Sequence, residues 1–147
     1  MRIAVGSDHA GYEDPQPYYK PAITDHLKSL GHEIIDCGTN GPESVDYPDY
    51  ADAVANAVLE GQADCGVLIC GTGIGICMAA NRHKGIRGAP VMTEEGARLS
   101  RTHNNANIIC FGRRLLPLSL CIHLLDIWLD TPYSHHPGHD RRIDKLG

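Results

Sequence analysis

The segment Cys70-Gly71-Thr72-Gly73-Ile74-Gly75 gathers the residue types most suited to chemistry in this chain. It follows the apolar run 65–69 and precedes a stretch with helical character. Three glycines alternate with side chains, so backbone N–H groups can crowd one small space, and a helix start adds partial positive charge. Amides arranged in this way hold a phosphate or a developing oxyanion. The segment is not a Walker A loop, because no Gly-Lys-Ser/Thr follows. It also lacks the glycine spacing of a dinucleotide fingerprint and follows the third strand rather than the first. Glycine-rich strand–helix turns also occur as plain tight turns. Cys70 distinguishes this one: a thiolate is a base or a nucleophile, and a helix start favours the ionised form. The competing reading is one more core cysteine, like Cys65 or Cys110.

Other polar residues fall near strand ends. Asp8-His9 ends the first apolar run; an acid beside an imidazole can relay protons or bind sugar hydroxyls, although Asp also caps turns. His103-Asn104-Asn105 closes a helix before the last strand, where Asn is also a common helix end. Arg113 follows Gly112 after that strand, and Arg141 and Arg142 lie in the tail, where arginines are commonly just solvated. Taken together, a thiol, a carboxylate, two histidines, the Thr72 hydroxyl and guanidinium groups suit proton transfer next to a carbonyl in a phosphorylated substrate.

Positioning these groups requires a scaffold that collects strand ends. Apolar runs predict strands over 2–8, 32–38, 65–71, 85–91 and 107–112. Periodic stretches predict helices over 18–30, 49–62, 74–83, 94–104 and 117–129, with a short basic tail helix starting near residue 139. Such alternation predicts an α/β fold: a doubly wound, Rossmann-like or flavodoxin-like sheet of five parallel strands with helices on both faces. Ligands of these sheets bind outside the carboxyl ends of the strands. That rule selects segments 7–12, 38–47, 70–75, 91–95 and 111–114. Two prolines in Glu13-Asp14-Pro15-Gln16-Pro17 should delay the first helix and make a rim loop.

The 147 residues, 42% of them hydrophobic, fit one compact domain spanning 1–147. The formal charge is −5 and no basic run could track a nucleic-acid backbone. No apolar stretch is long enough for a bilayer. The chain enters its first strand at once, without a secretory leader, so a cytoplasmic location is expected. The six cysteines mostly lie in apolar runs and read as reduced core residues, and none has zinc-site spacing. Neither a metal nor a cofactor is expected.

Ser7–Gly11 (SDHAG), Asp46–Pro48 (DYP), Ile69–Gly75 (ICGTGIG), Ala79–Asn81 (AAN), Gly85–Arg87 (GIR), His103–Asn107 (HNNAN) and His139–Asp144 (HDRRID) resemble, in order, the ribose-5-phosphate isomerase B family. That group includes galactose-6-phosphate isomerase subunits. The resemblance covers nearly the whole chain. It implies a metal-independent aldose–ketose isomerase working through a cis-enediolate, most simply between ribose 5-phosphate and ribulose 5-phosphate. Cys70 then stands for the base, and Thr72 with the amides of Gly71, Gly73, Ile74 and Gly75 for the anion hole. His103 matches the ring-opening histidine and Asp8 a handler of hydroxyl protons. His9, Arg113 and Arg142 match phosphate contacts, and Tyr47 and Asn104 line the sugar pocket. The family shares its sites across a dimer. This implies a homodimer or homotetramer, with tail 135–147 reaching the partner. Helix 117–129 looks more apolar than one buried face needs, which agrees. A second lineage uses a glutamate in the same loop, but Ile76 stands there in this chain.

Three departures from the family pattern concern the substrate rather than the reaction. Gly138 replaces the first arginine of the tail's usual Arg-His-x-x-Arg. Segment 13–17 resembles an insertion. After Gly85-Ile86-Arg87-Gly88 the chain reads Ala89-Pro90-Val91-Met92-Thr93-Glu94-Glu95, without the usual His or Cys. A tetrose, allose-like or galactose 6-phosphate is therefore an alternative substrate. A galactose-6-phosphate subunit would need a different second chain, and finding Cys70, His103 and Asp8 in one chain argues against that. A non-catalytic phosphate-binding module on the same sheet would explain the glycine loop but not the thiol and its companions.

Overall fold

The computed structural model describes residues Met1–Gly147. Five parallel strands, β1 (Arg2–Ser7), β2 (Glu33–Asp36), β3 (Cys65–Cys70), β4 (Gly88–Pro90) and β5 (Ile108–Gly112), form one sheet in the order β2-β1-β3-β5-β4. The central strands read as unbroken apolar runs because both faces are covered. All six residues of β3 are buried. Side chains alternate between the faces. Ile3, Val5, Val67, Ile69, Ile109 and Phe111 join one core cluster, and Ala4, Leu68, Cys70, Ile108 and Cys110 join the other.

Helices α1 (Tyr19–Ser29), α4 (Glu94–Thr102) and α5 (Leu118–Asp130) contribute to the first cluster through Ile23, Leu27, Ala97, Leu124, Leu125 and Trp128. Helices α2 (Tyr47–Leu59) and α3 (Ile74–Ala80) contribute Val54, Ala55, Ile76 and Ala80 to the second. The final helix, α6 (Pro137–Leu146), is amphipathic and mostly exposed. The sheet order changes direction between β1 and β3, which opens the crevice expected to hold a ligand.

The elements agree with the sequence reading except at edges that side chains decide. Helix α2 starts at Tyr47, two residues early, because Pro48 fits its first turn. Strand β4 shrinks to three residues: the Arg87 N–H donates to Asn107 Oδ1 at 2.8 Å instead of joining the ladder. Helix α3 stops at Ala80, where Asn81 turns to pair with the Gly88 backbone, accepting at 2.7 Å and donating at 3.0 Å. Segment 13–17 is a loop, preceded by a 3₁₀ turn at His9–Tyr12 that the sequence reading missed. Lys20 is buried and donates to Asp36 Oδ1 at 2.5 Å, the Thr39 carbonyl at 2.8 Å and Asn40 Oδ1 at 2.9 Å. It staples α1 to the exit of β2, beside the end of β1, where the Thr39 N–H donates to the Ser7 carbonyl at 2.7 Å.

Candidate active site

Cys70 is the last residue of β3 and 4% exposed. The chain turns back over it, so the Gly73 N–H donates to Cys70 Sγ at 3.1 Å. Thr72 Oγ1 accepts from the Ile74 N–H at 3.2 Å, which opens the helix. Gly73 has φ 75°, and a Cβ there would lie 2.8 Å from the Phe111 carbonyl carbon. The loop thus rests on the end of β5. Gly73→Ala should add about 1–2 kcal/mol of left-handed strain to that overlap. We expect the melting temperature to drop by about 4 °C or more, and kcat to fall with it. A variant with the wild-type melting curve and kcat would contradict this packing.

Three predicted residues surround the loop. The Asp8 N–H donates to the Ile69 carbonyl at 3.2 Å, joining the end of β1 to the residue before Cys70. Asp8 Oδ1 accepts from the Ala10 N–H at 2.9 Å, leaving Oδ2 for a ligand. His9 Nδ1 accepts from the Val45 N–H at 3.2 Å, so the neutral ring carries its hydrogen on Nε2. Tyr47 lies against Gly75, where a Cβ would come 2.8 Å from the phenol Cζ.

The two arginines after β5 have different partners. Arg113 donates from Nη2 to the carbonyls of Glu13, Asp14 and Pro15 at 3.2–3.4 Å, and its guanidinium stacks 4.8 Å above the Tyr19 ring. It is engaged with the rim loop. Arg114, overlooked in the sequence, lies over Gly71: a Cβ there would be 2.8 Å from Nη1. Its Nε and Nη2 pair with the Glu13 carboxylate at 2.7–3.2 Å. Hydrogen bonding to Arg114 holds the Glu13 carboxyl below the usual range.

His103, Asn104 and Arg142 are elsewhere. Helix α4 runs back along the sheet, so its cap His103 lies five residues before β5 begins, at the amino edge. The register pairs Gly66 with Ile108 and Cys70 with Gly112. The strands alone therefore separate the two edges by about 13 Å. At that edge His103 stacks on His139 with ring centres 4.3 Å apart, and His136 lies 5.4 Å from His139. Partial burial, then the neighbouring His103, His136 and Arg142, press His139 toward its neutral form. Arg142 covers Gly138, where a Cβ would be 3.3 Å from Nη1. Asn104 lines a cleft of about 810 Å³ with Arg82, Lys84 and Arg87. The predicted site residues therefore fall into two groups at opposite edges of the sheet.

Apolar exposure also differs from expectation. Leu124, Leu125 and Trp128 of α5 are buried, and Leu118, Leu120, Ile122 and Ile127 pack against the core. That helix therefore has no spare apolar face. Exposed apolar side chains are scattered, but four of them, Ile74 49%, Met78 66%, Met92 57% and Leu115 50%, line adjoining clefts around the start of α3. No group of three His, Cys, Asp or Glu side chains is arranged to hold a metal ion, all six cysteines are free thiols, and no helix is long and apolar enough to cross a membrane.

The chain is similar to known proteins along nearly its whole length. The family model described as Ribose/Galactose Isomerase matches residues 3–146. Ribose-5-phosphate isomerase B of Escherichia coli K12 is 42% identical over 99% of this chain and 93% of its own length. A galactose-6-phosphate isomerase subunit, LacB, of Clostridium acetobutylicum is 40% identical over 91% of this chain and 75% of its own. Among solved structures, ribose-5-phosphate isomerase B of Clostridium thermocellum superposes with a TM-score of 0.94 at 46% identity, covering 100% of this chain and 95% of that one.

Proposed function

We propose that this chain, which belongs to the ribose/galactose isomerase family, interconverts ribose 5-phosphate and ribulose 5-phosphate without a metal, using Cys70 as base. The observation that carries the reading is the Cys70 thiol under the glycine loop, with the Gly73 amide on its sulfur and Asp8 at the adjacent strand end. In the open-chain aldose the Cys70 thiolate removes the C2 proton. The electron pair forms the C1–C2 double bond, and charge moves to O1, where the Gly71 and Gly75 amides and the Thr72 hydroxyl stabilise it, the Gly73 and Ile74 amides being engaged within the loop. Asp8 Oδ2 passes the hydroxyl proton between the oxygens, and the thiol returns its proton to C1, giving the ketose.

His103 opens the furanose ring, Asn104 binds sugar hydroxyls, and Arg142 binds phosphate. In this reading they come from a second copy, because within one chain they lie at the opposite edge of the sheet. The exposed Ile74, Met78, Met92 and Leu115 beside Cys70 supply an apolar surface for that copy. His9 and Arg114 hold the phosphate on the Cys70 side, while Arg113 supports the loop. A coupled assay with ribose 5-phosphate, run with and without chelator, tests the reading. Equal turnover in both supports it; no turnover, or chelator-sensitive turnover, refutes it.

Gly138 stands where the resemblance places a phosphate-binding arginine. A Cβ there would lie 3.1 Å from His136 Nδ1 and 3.3 Å from Arg142 Nη1, both side-chain ends that can shift. We expect Gly138→Arg to lower KM for ribose 5-phosphate about tenfold, one charge-assisted contact, with kcat held. An unchanged or higher KM, with another phosphosugar the better wild-type substrate, would replace ribose 5-phosphate as the assignment.

A further inference from the structure

We propose that Glu13, in the loop before α1, is a positioning residue that holds the Arg114 guanidinium over Gly71 at the mouth of the Cys70 loop. The inference rests on the reading of that mouth as the phosphate end of the site. Arg114 is half exposed, and its long side chain has no other side-chain partner to order it. Glu13 grips the Nε and Nη2 side of the fork, at 2.7 Å for the shortest bond. This leaves the Nη1 donors, on the side against Gly71, free for an anion. The absence of a side chain at Gly71 is what lets the guanidinium lie there, since a Cβ would come 2.8 Å from Nη1.

The loop is built to keep Glu13 in place. Arg113 draws the carbonyls of Glu13, Asp14 and Pro15 onto one guanidinium, and that group is itself fixed on the Tyr19 ring. Asp14 accepts from the Tyr18 hydroxyl at 2.8 Å. Adjacent arginines therefore act in series: Arg113 shapes the loop, the loop presents Glu13, and Glu13 orients Arg114. A carboxylate on an arginine fork reduces its charge but removes the entropy cost of ordering it before the ligand arrives. The fixed geometry of the loop favours ordering as the net effect.

The test is a double-mutant cycle on the full-length protein, reading kcat, KM for ribose 5-phosphate and the inhibition constant of inorganic phosphate for Glu13→Gln, Arg114→Ala and the pair. Arg114→Ala should raise KM and the phosphate inhibition constant about tenfold or more. Glu13→Gln should raise both about three- to tenfold with kcat within about twofold, and Glu13→Asp should recover part of the loss. The pair should be no worse than Arg114→Ala alone. If Glu13→Gln lowers KM and tightens phosphate inhibition, Glu13 competes with the ligand and the inference fails. Additive losses in the pair would likewise overturn it. If Arg114→Ala leaves both constants unchanged, the phosphate reading of this mouth fails and the inference with it.

Discussion

Cys70→Ser is expected to lower kcat by about three orders of magnitude or more, with KM and the melting temperature nearly unchanged. A serine hydroxyl is far too weakly acidic to supply the anion that removes a carbon-bound proton. The replacement is nearly isosteric, and the Gly73 N–H that now meets sulfur at 3.1 Å can meet oxygen instead, so the fold has no reason to change. The other cysteines divide: hydrogen bonding with Cys110 lowers the Cys77 thiol, so a Cys77→Ser background serves as the control for alkylation. Burial pushes the Cys65 and Cys121 thiols up to about 12, leaving them little thiolate near neutral pH. Iodoacetamide should inactivate the enzyme through Cys70 in the Cys77→Ser background as well, and substrate should protect it. A serine variant keeping more than about a tenth of the wild-type kcat would remove Cys70 from the role of base.

His103→Asn is expected to abolish most turnover of cyclic substrates while sparing tetrose phosphates, which cannot close a furanose through a free hydroxyl. Opening a ring moves one proton on and one off within a narrow pH range, which imidazole does and an amide does not. The His103 ring rests on His139 rather than in the core, so the substitution should leave the fold intact. Progress curves with ribose 5-phosphate and erythrose 4-phosphate give the comparison. Equal losses on both would assign His103 to binding or to the isomerisation step instead.

The architecture was legible because its signals are local. The run Cys65–Cys70 is apolar throughout, as a central parallel strand must be, and the glycine loop at its carboxyl end lies where the sheet order reverses. Asp8 and Thr72 then follow from strand-end geometry, and Tyr47 from the family resemblance. What the sequence did not disclose depends on direction and partners. Residues 113 and 114 are both arginine, and only side-chain packing shows that one is engaged by the 13–15 carbonyls while the other covers Gly71. Lys20 looks like a surface residue of an amphipathic helix until three oxygens of the 36–40 turn appear around it. The residues of α5 read as surplus apolar area because their partners in α1 and α4 are distant in sequence. His103 lies near a strand in sequence but at its entry rather than its exit, so the site residues fall at two edges.

Subunit complementation addresses that division most directly. Cys70→Ser and His103→Asn proteins, each inactive on ribose 5-phosphate as a homo-oligomer, are mixed, dissociated and reassembled together. If each site combines the Cys70 edge of one chain with the His103 edge of another, a mixed pair contains one wild-type site and one doubly substituted site. Random pairing at equal amounts should then restore about a quarter of wild-type activity, as expected for isologous pairing. If each site lies within one chain, no reassembled species has an intact site. Activity would then stay at the level of the separate variants, contradicting the account.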